Sequence, residues 1–351
     1  RRVRHLLVAM VLATGISSGF AHASGERQPI GTWRFKAPER PVKAVVVGGS
    51  VAAWPRGGFG QFIEAICPRV EVKNRAKAKL GAKALKVRFE RQVLRNRRLD
   101  RSAYESMWLI FMGGLNSVGT PKMTNRNVAA TLKRAHERGF KTLAMTVGPW
   151  GSDRDKRWRG GSGNRYQDKT RLTVDFLMGR LTPRQAFGRS GADSFLPGQL
   201  PDIVVDLYDS KLRDASAELR DEAPTRRRLR YDKELRRALR KLPQEEREAA
   251  MERSVEQALE MPRWFMRKDL QAFDHIHPNM EGHRVISQTA CPSLPKAWGC
   301  QCDRLSELTW DRSVRGLTPV VEAAAPVEPA PPSANPHTES ASEPSSVGDI
   351  P

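Results

Sequence analysis

Short apolar runs alternate with helical patterns over the first two thirds of the chain. The runs that read as strands are Val42–Val47, Val70–Val72, Met107–Met112, Thr142–Val147 and Ile203–Leu207. Runs of this kind, in which apolar residues follow one another with little alternation, are typical of strands that are covered on both faces, as in parallel sheets. The pattern therefore predicts a parallel sheet between two layers of helices.

The segments between these runs carry apolar positions at helical spacing. The predicted helices are Phe59–Ile66, Gly81–Leu94 and Asn125–Arg138, and Gly139 ends the last of them as a helix-stop residue. Regular alternation of strands and helices indicates a doubly wound α/β sheet. Ligands of such sheets bind beyond the carboxyl ends of the strands, so the residues just after each strand are the first candidates for a site.

Residues from about 210 to 268 interrupt this alternation because they are dense in Arg and Glu. Lys233–Leu242 and Glu245–Leu259 have helical propensity, and prolines separate them. We predict an inserted helical hairpin or lid, and the alternative is a solvated excursion with no functional role. From residue 319 to residue 351 the chain is rich in Pro, Ala, Glu and Ser, which predicts a disordered tail.

The first residues have the pattern of an export signal. Arg1, Arg2 and Arg4 precede an apolar stretch, and Ala21-His22-Ala23 supplies a small-residue cleavage site. We therefore expect residues 1–23 to be a signal peptide and the protein to be secreted or periplasmic. An uncleaved anchor is the alternative, but the stretch is short for a membrane span of about 20 residues.

The chain of 351 residues has a formal net charge of +21 at pH 7. Such a balance favours contact with polyanions such as acidic glycans, anionic membrane surfaces or nucleic acid. The alternative is a generally Arg-rich surface with no specific anionic partner. We expect anionic surface contact through a basic face and no specific nucleic-acid partner, and the sequence leaves the oligomeric state open.

Four cysteines lie in the chain, Cys67, Cys291, Cys300 and Cys302. An even number in an oxidising compartment indicates up to two disulfides, and three connectivities are open. Zinc binding is the rival interpretation. One residue separates Cys300 from Cys302 and no second closely spaced pair exists, so the spacing does not match a zinc site.

The segment Asp274-His275-Ile276-His277 carries the strongest chemical signal. An Asp three residues before a His, on a loop that precedes the predicted helix Met280–Ala290, lets the carboxylate reach imidazole Nδ1. The second ring nitrogen is then free to act as a base. The alternatives are a helix-capping Asp274 with a surface His277, or a metal site that adds His275. No glutamate base or fourth ligand has the spacing that such a metal site needs.

Three glycine-containing turns supply the other groups that acyl transfer requires. Ser50 follows Gly48-Gly49 directly after the first strand, where a tight turn projects its hydroxyl, although the same pattern fits a plain loop. Asn116 follows Gly113-Gly114 after the third strand, and its amide is either an oxyanion donor or an ordinary turn residue. Gly81 offers a backbone N–H at a helix start, which is more often only a helix-start glycine.

In this order the four segments resemble the conserved blocks of the SGNH (GDSL-like) hydrolases. That family has Gly-Asp-Ser after the first strand, a glycine after the second, Gly-x-Asn-Asp after the third and Asp-x-x-His near the end. The resemblance covers about residues 41–290 without the insertion, and it implies a flavodoxin-like three-layer α/β/α sandwich with a five-stranded parallel sheet. The chain departs from the family at Gly49 and at Ser117, where Asp is usual.

By position, the resemblance implies a catalytic triad of Ser50, Asp274 and His277. It also implies an oxyanion hole made of the Ser50 and Gly81 backbone N–H groups and the Asn116 amide. The implied activity is that of a secreted serine esterase that forms an acyl-enzyme and needs no cofactor or metal. Acetylated carbohydrates and lipid esters are the candidate substrates, and the alternative is an inactive SGNH-fold module that binds anionic envelope polymers.

The resemblance bears on two further features. The helices that precede Cys67 and Cys291 would pack on the same face of such a sheet, which favours a disulfide between Cys67 and the C-terminal cysteines in the predicted extension 291–318. Trp150 and Trp158 lie in a Gly-rich loop at a strand end. They are candidates for contact with a sugar or an acyl chain, and a plain structural loop is the alternative.

Overall fold

A computed structural model describes residues 40–96, 101–155, 157–158, 161–188 and 193–320. The predicted signal peptide and residues 321–351 of the predicted tail lie outside these ranges. Among the helices in the described ranges, none combines the length and the apolar character that a membrane crossing requires.

Five parallel strands form the central sheet in the order β2-β1-β3-β4-β5, as predicted. Their bounds are β1 Val42–Gly48, β2 Val70–Asn74, β3 Ser106–Met112, β4 Phe140–Met145 and β5 Ile203–Val205. The fourth strand begins and ends two residues before the predicted bounds, and the fifth is two residues shorter than predicted. The strand order changes direction between β1 and β3, and ligands of doubly wound sheets bind at such a switch point.

Successive side chains of the central strands enter two separate hydrophobic cores. In β1, Ala44 and Val46 belong to the core on one face, while Val45 and Val47 belong to the core on the other. All four are fully buried. This arrangement explains the unbroken apolar runs of the sequence, since each residue needs an apolar neighbour whichever face it occupies.

Helices cover both faces of the sheet and complete a three-layer α/β/α sandwich. Helices α1 (Phe59–Ile66) and α9 (Met280–Ala290) pack on one face. The other face is covered by α2 (Ala82–Phe89), α3 (Pro121–His136), α4 (Gly161–Leu177) and α5 (Pro183–Phe187). A π-helical turn extends α2 to Leu94. The predicted fold class is therefore confirmed.

Helix α4 was not predicted, because glycines at its start resemble a loop. Gly163 lies inside this helix, and a Cβ atom there would be 2.1 Å from the carbonyl oxygen of Trp158. The glycine is therefore required by a close approach of two backbone segments. The Gly-rich loop that contains Trp150 and Trp158 therefore gives way to a helix at Gly161, which the sequence did not predict.

The insertion contains three helices where the sequence predicted two. They are α6 (Glu222–Arg230), α7 (Lys233–Leu239) and α8 (Gln244–Leu259). Pro224 lies in the first turn of α6, where the missing N–H costs no hydrogen bond, so this proline does not interrupt the helix. Leu229, Val255 and Ala258 form a small apolar core between α6 and α8.

Two disulfides hold the C-terminal extension beside α1 and α9. Cys67, after α1, pairs with Cys300, and Cys291, after α9, pairs with Cys302. The packing of α1 beside α9 brings these segments together, as the resemblance implied. A short antiparallel hairpin, β6 (Leu308–Asp311) and β7 (Gly316–Pro319), follows and was not predicted.

Candidate active site

Two glycines shape the edge of the sheet at which the candidate site lies. A Cβ atom at Gly48 would be 2.2 Å from the carbonyl oxygen of Met112, so only glycine allows the ends of β1 and β3 to approach this closely. Gly114 has a φ of 114°, which favours glycine. Ser50 follows the first of these strand ends and Asn116 follows the second. Both residues therefore lie at the switch point of the sheet.

Ser50, His277 and Asp274 form a hydrogen-bonded series. The distance from His277 Nε2 to Ser50 Oγ is 2.6 Å, although the two residues are 227 positions apart. His277 Nδ1 bonds Asp274 Oδ2, and Asp274 Oδ1 accepts the backbone N–H groups of Ile276 and His277 at 3.0 Å each. This arrangement gives the imidazole an acceptor nitrogen that faces the serine hydroxyl.

The carboxylate of Asp274 remains charged at neutral pH. Burial raises its pKa, but the hydrogen bonds from His277 and Ile276 outweigh burial and bring the pKa below its ordinary value. An ionised Asp274 holds the proton of His277 on Nδ1. The Nε2 lone pair is then directed at the Ser50 hydroxyl, which is the tautomer that a general base requires.

Two aromatic residues that the sequence analysis did not select support His277. The Trp54 ring stacks on the His277 ring with centroids 6.4 Å apart, and it also lies 5.6 Å from the ring of His283. His283 is fully buried, and its Nδ1 accepts the backbone N–H of Phe59 at 3.3 Å. Burial, with a smaller contribution from nearby His277, lowers the pKa of His283 to about 3. His283 is therefore neutral at physiological pH.

Asn116 lies beside the turn that carries Ser50. Its Nδ2 donates to the carbonyl oxygen of Leu80 at 3.2 Å, and a Cβ atom at Gly49 would be 3.4 Å from the same nitrogen. One of the two Nδ2 hydrogens is thereby engaged, and the other is available to a ligand. Ser50, Leu80 and Asn116 line one small cavity of about 30 Å³.

Gly81 does not line the small cavity that contains Ser50. It is the N-cap residue of α2 and lines a larger neighbouring cavity, whereas Leu80 lines the small cavity with Ser50. Ser117 connects the two regions, because its Oγ accepts the N–H of Ala82 at 3.0 Å and donates to the carbonyl of Gly114 at 3.2 Å. The residue that departs from the family pattern thus fixes the start of α2.

Trp150 and Trp158 do not line the site. They are 2% and 1% exposed, and Trp158 packs against Phe265 with ring centroids 4.6 Å apart. Together with Val147 and Met261 they form a core between the loop after β4 and the end of the insertion. The hypothesis that these rings contact substrate was therefore wrong, and the structural alternative holds.

The nitrogens of His275 and His277 do not converge on one point. His275 Nδ1 bonds Gln271 Oε1 at 3.1 Å and its Nε2 contacts Arg154 Nη1, whereas the nitrogens of His277 face Asp274 and Ser50. Across the described ranges, no group of three or more His, Cys, Asp or Glu residues is arranged to hold a metal ion.

The sheet order, with a serine after its first strand and an Asp-x-x-His segment before its last helix, agrees with what the resemblance to the SGNH (GDSL-like) hydrolases implied. Similar solved structures include a GDSL-like lipase from Bacteroides thetaiotaomicron (11% identity, TM-score 0.42, covering 74% of this chain and 91% of that chain). A lipase/acylhydrolase from Enterococcus faecalis is also similar (12% identity, TM-score 0.39, covering 73% of this chain and 95% of that chain). An acetyl xylan esterase variant from Geobacillus stearothermophilus is similar as well (13% identity, TM-score 0.36, covering 72% of this chain and 93% of that chain).

No protein-family profile and no curated protein matches this sequence.

Proposed function

We propose that this protein is a serine esterase that cleaves acyl esters through Ser50, His277 and Asp274. The observation that carries the proposal is the 2.6 Å contact between Ser50 Oγ and His277 Nε2, with the imidazole held from behind by an ionised carboxylate. A serine hydroxyl is a weak nucleophile, and an adjacent base that is oriented by a third group is the usual means of activating it.

The reaction follows from this arrangement. His277 Nε2 takes the proton of Ser50 as Oγ attacks the ester carbonyl, and the resulting imidazolium is stabilised by Asp274. Collapse of the tetrahedral intermediate breaks the bond to the alcohol, which leaves with the proton from His277. Water then attacks the acyl-serine in the same way and releases the carboxylic acid.

The negative charge of the tetrahedral intermediate needs hydrogen-bond donors. We assign this role to the backbone N–H of Ser50, the Nδ2 group of Asn116 and the backbone N–H of Gly81. The support is strongest for Asn116, which shares the small cavity with Ser50 and has an amide hydrogen available. The support for Gly81 is its position one residue beyond Leu80, which lines that cavity.

The small cavity favours a short acyl group. Its volume of about 30 Å³ leaves space for a few water-sized groups, which suits an acetyl group and not a long acyl chain. Acetylated carbohydrate is thus better supported than a long-chain lipid ester. The two disulfides support action outside the cytoplasm, because disulfides persist in oxidising compartments.

Labelling with a fluorophosphonate probe and hydrolysis of p-nitrophenyl acetate test the proposal. We expect both for the wild type, neither for Ser50→Ala, and both for Ser293→Ala, which removes an exposed serine and serves as the matched control. A wild-type protein that neither labels nor hydrolyses the ester would support the alternative of an inactive binding module. Labelling that persists in Ser50→Ala would identify another nucleophile.

A further inference from the structure

A second and larger cavity adjoins the small cavity that contains Ser50. Its volume is about 710 Å³, and it is formed by α2 together with the first turns of α3. Leu80 lines both cavities, so the two are neighbours. We call it the basic groove, because four cations line it, Lys77, Lys83, Arg88 and Arg91.

The charge of this region is strongly one-sided. Residues 73–95 contain nine lysines and arginines and a single acid, Glu90, which pairs with Arg134 at 3.1 Å outside the groove. Within the described ranges, none of the four groove cations takes part in an ion pair. Elsewhere the protein does pair its arginines, as between Arg171 and Asp209 at 2.6 Å. The groove therefore keeps its positive charge available to an external anion.

Apolar surface lies between these charges. Val87 is 39% exposed and Met123 is 51% exposed, and both line the basic groove. A binding surface of this composition suits a ligand that carries repeated anionic groups on a framework with apolar faces. An acidic polysaccharide has this chemistry, since carboxylates alternate along its length with the C–H faces of its sugar rings.

We propose that the basic groove binds an acidic polysaccharide and presents an O-acetyl ester of the same polymer to Ser50. This inference rests on the proposed function. Carboxylates of the sugar units contact Lys77, Lys83 and Arg91, and the ester carbonyl enters the small cavity. Attack by water through the acyl-serine releases acetate and leaves a free sugar hydroxyl, with no other reactant.

The shape of the region favours a polymer over a membrane surface. The groove is concave and lies along α2 and its π-helical extension, which together are about 20 Å long for 13 residues at helical rise. An elongated concave site of this kind suits an extended chain better than a membrane surface. The cavity of about 30 Å³ at Ser50 also suits an acetyl group better than the long acyl chain of a membrane lipid.

The test uses a variant that removes three charges from the groove, Lys77→Gln/Lys83→Gln/Arg91→Gln. These side chains are exposed and make no hydrogen bond within the described ranges, whereas Arg88 is left in place because its Nε donates to the carbonyl of Arg75 at 2.5 Å. The matched control, Lys233→Gln/Arg237→Gln/Lys241→Gln, removes three exposed and unpaired cations at the insertion. Both variants therefore change the net charge by the same amount.

Binding is measured in the Ser50→Ala background, which prevents turnover, with labelled O-acetylated polygalacturonate and with neutral acetylated glucomannan. At low salt we expect the groove variant to bind the acidic polymer about 10- to 30-fold more weakly than the control variant does. This difference should disappear at about 0.5 M salt, because exposed charges are then screened. Equal binding by the two variants would overturn the proposal.

Activity separates this inference from the proposed function. With Ser50 restored, we expect both variants to hydrolyse p-nitrophenyl acetate like the wild type, while only the groove variant loses kcat/KM on the acidic polymer. If both variants hydrolyse the small ester normally and lose the same share of kcat/KM on the polymer, the groove proposal is refuted while the proposed esterase activity stands. Tight binding to vesicles of phosphatidylglycerol, with no binding to the polysaccharide, would assign the groove to a membrane and also overturn the proposal.

Discussion

His283 gives the protein a pH-dependent stability that a single substitution should remove. Its ring is fully buried between Trp54 and Phe59, with ring centroids at 5.6 Å and 6.4 Å. Burial is the main reason that its pKa falls to about 3. His283→Asn provides the perturbation, because Asn keeps an acceptor near the position of Nδ1 for the Phe59 N–H and does not titrate.

The sign and size of the effect follow from proton binding. The histidine of the unfolded chain titrates at about pH 6.5. Between about pH 6.5 and pH 3 the unfolded state therefore binds a proton that the folded state does not, and the free energy of unfolding decreases as the pH falls. The slope approaches about 1.4 kcal/mol per pH unit between the two pKa values, so lowering the pH from about 7.5 to about 4.5 removes about 2.7 kcal/mol through His283 alone.

Urea unfolding at about pH 7.5 and pH 4.5 measures this contribution in the wild type and in His283→Asn. The variant loses some stability at both pH values because Asn leaves part of the site unfilled, so the diagnostic quantity is the difference between the two pH values. We expect that difference to be smaller in the variant by about 2 to 3 kcal/mol. An equal difference in the two proteins would show that His283 binds its proton in the folded state and would refute the reasoning.

Three further predictions concern the site and the stability of the fold. Asn116→Ala should lower kcat/KM on p-nitrophenyl acetate about 10²- to 10³-fold with little change in stability, and an unchanged kcat/KM would remove Asn116 from the oxyanion hole. Lys43→Met should lower the free energy of unfolding in urea by about 3–5 kcal/mol, because it leaves the Glu71 carboxylate buried without its partner at 2.5 Å. The double variant Lys43→Met/Glu71→Gln should regain much of that free energy, and no recovery would contradict this account. Cys67→Ser/Cys300→Ser removes a link across 233 positions and should cost about 2–5 kcal/mol in thermal unfolding, whereas an unchanged midpoint would make the link dispensable.

The sequence predicted the sheet because burial on both faces imposes a simple pattern. The apolar residues of β1 and β3 face one or the other of two cores, so the apolar runs identify the strands without knowledge of their neighbours. Helix α4 lacked such a signal, since Gly163 is required by the nearby Trp158 backbone and not by its own helix. A local sequence pattern cannot indicate contacts that form only in the tertiary fold.

The same distinction applies within the site. The contact between Asp274 and His277 is local, three positions apart on one loop, and could therefore be predicted from spacing. The stacking of Trp54 on His277 and the burial of His283 against Phe59 bring together residues more than 200 positions apart. Neither residue type nor spacing indicates such packing, although it places the Trp54 ring against the imidazole on which the chemistry depends.

The two departures from the family pattern have different structural consequences. At Gly49 a Cβ atom would lie in ordinary contact with Asn116 Nδ2, at 3.4 Å, so glycine leaves the amide of Asn116 less constrained. Ser117 has taken a definite role, because it joins the first N–H of α2 to the loop after β3. That helix and its π-helical extension carry three of the four cations of the basic groove, Lys83, Arg88 and Arg91. Ser117 therefore fixes the position of the basic groove relative to Ser50. The residue departs from the family pattern, and its two hydrogen bonds connect the groove to the sheet edge that carries the nucleophile.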